Sequence, residues 1–118
     1  MAVARMVSDE WAAAIDTLGE DVLGQLVGAS PSSIRRYANR TRSTPRDVAG
    51  RLHFVASVLA DLAGSYDEFG IRRWFMRPRS ALDGQCPTDF LGDDFDIESD
   101  SAVAVARLAA ALSATEKS

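Results

Sequence analysis

At 118 residues with a single cysteine, Cys86, the chain has room for one compact domain or two small helical units sharing a core, and no internal disulfide can staple it. Its net charge of −4 is uneven: residues 1–56 carry seven arginines against six acids, residues 57–118 carry six bases against eleven acids, and residues 30–51 alone hold six arginines against Asp47. Arg5, Asp9 and Glu10 interrupt the N-terminal apolar residues, which argues against a secretory signal, and the apolar stretch 52–64 is short and contains His53 and Asp61, so no membrane span is expected and a reducing cytoplasm is the expected compartment.

A first helix is expected from Ser8, whose hydroxyl can cap the following turn, with Asp9 and Glu10 favoured by the helix dipole. Trp11, Ile15 and Leu18 then recur on one face, and Gly19 is a credible stop. A short helix over 20–27 ends at Gly28. Ser30-Pro31 opens another, with serine as cap and proline at the first helical position, where no N–H is needed. The polar stretch 40–45 is a loop ending in Pro45.

The longest helix is expected over 47–62. Val48, Leu52, Val55, Leu59 and Leu62 are spaced 4, 3, 4 and 3, the stripe of a helix packed along another, and Gly64 closes it. A further helix can occupy 66–75 before Pro78 breaks it, and Asp83-Gly84 and Cys86-Pro87 supply turns. Residues 88–91 allow one helical turn. The acidic run 93–100 reads as solvated loop, and the alanine-rich 101–114 as helix with Val105, Leu108 and Leu112 on one side. No strand-like alternation occurs, so the fold class is all-α.

The first functional signal lies in 19–40. A helix-turn-helix needs a residue free to take positive φ in its turn and a small residue on the facing helix. Gly28 and Gly24 fit those two roles, with Leu23, Val27, Ile34 and Tyr37 facing inwards. If the second helix entered a major groove, Ser32, Ser33, Arg35, Arg36, Asn39 and Arg40 would meet DNA, with Arg42 and Arg46 adding phosphate contacts. The competing reading is a helical hairpin whose arginines form a solvated face.

The second signal is the segment IRRWFMRPRSALDGQCPTDFLGD, where aromatic anchors and turn residues specify a fixed loop surface. Trp74, Phe75, Pro78, Leu82, Gly84, Pro87, Asp89, Phe90 and Leu91 stand at the spacing of a toxin-binding segment, and with the preceding helix-turn-helix pattern the chain resembles the Xre/MbcA/ParS family of antitoxins. The crowding of Arg72, Arg73, Arg77 and Arg79, and the acidity after Leu91, depart from the family's pattern. The resemblance implies two regions, 1–64 with the helix-turn-helix and long connecting helix, and 65–118 binding a toxin. It implies a RES-domain, NAD-consuming toxin as partner, operator DNA as a second, and contacts through Trp74, Phe75, Arg77, Pro78, Leu82, Pro87, Phe90 and Leu91, with 108–118 reaching toward the toxin's mouth. For the buried-type aromatics Trp74 and Phe90, a place in the core is the competing reading.

No catalytic residue, metal site or cofactor is expected, and the chain is read as a non-enzyme. His53 is alone and is expected to be partly buried, Cys86 has no second cysteine or histidine nearby, and the acidic run lacks the glycine and glutamate of a calcium loop. A homodimer is expected, through the 47–62 stripe or the last helix, because helix-turn-helix readers pair to reach successive grooves. The alternatives are a stand-alone dimeric helix-turn-helix regulator and a helical interaction module without a DNA role.

Overall fold

The computed structural model describes residues 2–92 and 95–117, with side chains for 9–92 and 95–112. It is all-helical: α1 (Ala2–Val27), α2 (Pro31–Ala38), α3 (Arg46–Leu62), α4 (Glu68–Met76), a 3-10 turn (Ser80–Leu82), α5 (Pro87–Leu91) and α6 (Asp100–Lys117). Among the described residues the only extended pairing is an isolated antiparallel bridge between Arg79 and Gln85.

The chain turns sharply inside α1. Gly19 sits at φ 81 and ψ 160, outside helical space, and splits α1 into two arms, as its reading as a helix stop requires. The arm before it starts at Ala2 rather than at Ser8, so Ser8 lies within a helix and is no cap; the Ala, Val, Arg and Met residues ahead of it include good helix formers.

The first arm runs alongside α3, where Glu10 meets His53. The second returns, so that its last carbonyl, on Val27, accepts a 2.9 Å bond from Arg51 Nε near the start of α3. At Gly28 (φ 75) the chain turns again into α2, whose start is capped by Ser30 accepting from Ser33 N at 3.1 Å.

α3 lies at the centre. Its whole stripe, Val48, Leu52, Val55, Leu59 and Leu62, is buried. α1 and α6 pack against it, which leaves this stripe no surface for a second copy. The helix ends at Ala63 in right-handed geometry; Gly64 takes no positive φ and serves only as part of the following turn. Ala102, Val105 and Ala109 seat α6 on the core, so that face of the last helix is also consumed. The core crosses residue 64 without a break, as α1 also packs on α4 and α5.

Two expectations about polar segments change. The acidic run is anchored rather than simply solvated: Phe95 is buried edge-on against Phe54, with ring centroids 5.2 Å apart. Asp93 and Asp94 lie outside the described residues. His53 is exposed, because it falls on the outer side of α3, and its Nδ1 lies 2.7 Å from Glu10 Oε2.

The closest backbone approach is at Gly24. A Cβ there would sit 2.5 Å from the carbonyl oxygen of Ala29 and 3.4 Å from Ile34 Cδ1. Gly24→Ala should therefore destabilise the protein by about 1–3 kcal/mol through overpacking, measured as a lower midpoint in urea unfolding. An unchanged midpoint would mean that the α1–α2 contact relaxes freely.

Candidate nucleic-acid and partner interfaces

α2 is fixed from behind. Ile34 is fully buried and Tyr37 stacks on Trp11, ring centroids 5.7 Å apart and planes 28° from parallel. Trp11 in turn donates from Nε1 to Thr44 Oγ1 at 3.0 Å, tying the loop after α2 to the first helix. The opposite side of α2 carries the arginines.

The expected DNA-contacting residues divide on this face. Ser32, Arg36 and Arg40 are exposed. Arg35 is exposed but its Nη1 lies 2.6 Å from Glu20 Oε1, so a carboxylate already holds it. Ser33 is half-buried and Asn39 exposed, and both are occupied locally: Ser33 accepts from Ser30 Oγ at 3.1 Å, and Asn39 Oδ1 accepts from Thr41 N at 3.0 Å and from the Thr41 hydroxyl.

Arg42 and Arg46 are exposed beside them. Among the described residues, Arg36, Arg40, Arg42 and Arg46 take part in no ion pair. Arg51, the sixth arginine of the stretch, is buried in its bonds to Val27 O and Asp47 Oδ2 and does not belong to the face.

Arg40 occupies an unusual backbone position. It sits at φ 65, where Arg40 N bonds to Tyr37 O and Thr41 N to Arg36 O, the paired closure of a helix end that glycine fills most easily. An arginine there carries a strain of about 1–2 kcal/mol. Sequence reading missed this feature because nothing in the residue string marks Arg40 as the left-handed position.

In the second half, most of the expected toxin-binding residues are packed inside. Trp74, Phe75, Leu82, Pro87 and Leu91 are buried, and Phe90 is half-buried against the core; Arg77 and Pro78 are exposed. The buried ones thus hold the segment's shape and offer no face to a partner in this conformation. Trp74 meets Phe75 edge-on at 5.2 Å, and Arg79 lies over the Trp74 ring at 4.8 Å.

Burial holds the Arg79 guanidinium below its ordinary pKa, with Tyr66 opposing and Arg77 adding to the shift. Thr88 Oγ1 donates to Phe75 O at 3.3 Å and accepts from the buried Cys86 thiol at 3.1 Å, locking α5 to the end of α4. The last-helix role expected of 108–118 falls mostly on side chains outside the described residues.

A groove of about 520 Å³ lies elsewhere, between the first arm of α1, α3 and the start of α4, lined by Ala13, Thr17, Ala56, Ala60 and Tyr66 among others and by none of the expected site residues. Among the described residues no group of three or more His, Cys, Asp or Glu is placed to hold a metal ion, and no helix is long and apolar enough to cross a membrane. Comparison with protein-family models, with characterised proteins and with solved structures finds no match to this chain.

Trp74→Ala should lower stability by about 3–5 kcal/mol by emptying a packed site, whereas Arg77→Ala should change it by less than about 0.5 kcal/mol. Chemical denaturation of the two variants checks this, and equal effects would contradict the division into packing and surface residues.

Proposed function

We propose that this chain is a non-catalytic cytoplasmic antitoxin that binds operator DNA through the outward face of α2 and neutralises a RES-type, NAD-degrading toxin by direct contact. The observation that carries the DNA half is Arg40. A strained arginine stands where a glycine would be relaxed, next to Arg36 on a helix whose back is fixed by Ile34 and Tyr37. Positive charge held at that point, with Arg42 and Arg46 adjoining, suits phosphate and base-edge contact. The toxin half rests on the antitoxin-like segment from Trp74 to Leu91. Pairing of two copies would present two such helices to successive grooves.

The burial of Trp74, Phe75, Leu82 and Leu91 favours a second reading, a stand-alone dimeric regulator in which the segment only completes the fold. Co-expression with an adjacent RES-type toxin separates the two. Restored growth supports the antitoxin, and persistent arrest with promoter binding intact leaves the regulator.

Two variants test the DNA half by gel shift with the upstream promoter. Arg36→Ala should weaken binding and reduce the slope of log K against log salt by about 1 if it meets a phosphate. Arg40→Gly should raise the unfolding midpoint, by about 1 kcal/mol of relieved strain, while weakening the DNA complex. Promoter binding unchanged in both variants would remove α2 as the reader.

A further inference from the structure

The outward face of α4 carries the two most exposed large apolar side chains in the described protein. Phe69 is 69 % exposed and Met76 51 %, seven residues apart and so on one side of the helix. Arg72 and Arg73 lie between them, and the Arg73 guanidinium sits 5.4 Å from the Phe69 ring centroid. These side chains, with Asp21 and Val22 of α1, line a groove of about 500 Å³. Among the described residues no carboxylate pairs with Arg72, Arg73 or Arg77. An apolar face rimmed by unpaired arginines fits an apolar side chain bordered by carboxylates.

The chain itself carries that complement. Ile97 is 45 % exposed, flanked by exposed Asp96, Glu98 and Asp100. The segment is preformed: Phe95 anchors it on Phe54, Asp96 Oδ1 accepts from Glu98 N at 2.9 Å, and Ser99 Oγ accepts from Ala102 N at 3.2 Å. A knob already ordered in the free protein loses little entropy on docking. It lies against Gly50 on α3, whereas the groove is made by α1 and α4, so the two surfaces share no residue and are free at once.

We propose that two copies of this chain pair by exchanging these surfaces, the Asp96–Asp100 knob of each seating Ile97 on Phe69 and Met76 of the other, with its carboxylates against Arg72 and Arg73. This rests on the paired reading above and names its interface. Reciprocal exchange about a two-fold axis makes the contact twice. Packing α4 on α4 instead would set arginines against arginines, so that arrangement is disfavoured.

The test is a charge exchange read as molar mass by light scattering at matched concentration. Wild type should run as a dimer whose dissociation increases with salt. Arg72→Glu with Arg73→Glu makes both surfaces acidic, and Glu98→Arg with Asp100→Arg makes both basic; each variant should run at monomer mass with wild-type helical signal. Mixing the two should restore the dimer mass, because each groove again meets the opposite charge. Phe69→Glu supplies the same loss of dimer should either double variant fail to fold.

Variants that stay dimeric would overturn this interface while leaving pairing intact. A monomeric wild type would overturn both. Monomeric variants that fail to recombine would overturn the exchange, and a dimeric Arg72→Glu, Arg73→Glu protein that has lost promoter binding would assign these arginines to DNA instead.

Discussion

The missing side chain at Gly24 is the constraint from which the first half of the molecule follows. Because nothing larger fits against the Ala29 carbonyl, the second arm of α1 can approach the turn closely enough for Ile34 to be fully buried. That insertion sets which side of α2 is inside. Tyr37 then meets Trp11, Trp11 reaches Thr44, and the loop carrying Arg42 is drawn against the first helix. Arg51 completes the circuit by bonding to the buried carbonyl end of the second arm, where a cation also interacts favourably with the helix dipole. The exposed arginine face is thus a consequence of backbone geometry at one glycine.

The second half spends its aromatic residues differently. Trp74 and Phe75 are consecutive on α4, yet both are buried, because α4 is roofed by α5 and Thr88 bonds to the carbonyl of Phe75. Trp74 Nε1 has no partner among the described residues, and Arg79 over the ring offers charge to its face rather than an acceptor to its N–H. Such a site favours packing over a polar contact. Any partner must therefore be met by what the packing leaves outside, which on this helix means Glu68, Phe69, Arg72, Arg73 and Met76.

Much of the helical framework was legible in the residue string, for definite reasons. The 4-3-4-3 stripe of α3 specified a buried face, the glycine pair at 24 and 28 specified a close turn, and Ser30-Pro31 specified a helix start. Long-range pairing was not legible. Nothing local distinguishes Arg51, a buried tether, from Arg36, an exposed cation; the difference lies in the Val27 carbonyl 24 residues away. Phe95 was hidden by the acids around it, since its partner Phe54 belongs to another helix. The aromatic segment drew a functional reading because its pattern is distinctive, but pattern does not tell which aromatic residues the fold itself consumes.

Net charge is a poor guide to this chain because its charges are settled pair by pair. Glu20 takes Arg35 and Asp47 takes Arg51, so two of the six arginines of 30–51 are spoken for, and the other four join no ion pair among the described residues in spite of a total of −4. The Asp96–Asp100 knob rests against Gly50 on α3, four residues from Arg46. In a pair built by surface exchange, the partner's Arg72 and Arg73 would cover those carboxylates. Pairing would then strengthen the potential felt by a phosphate as well as doubling the number of reading helices. By reciprocity DNA would strengthen pairing by the same factor. The acidic second half would in that case be the element that couples assembly to DNA binding.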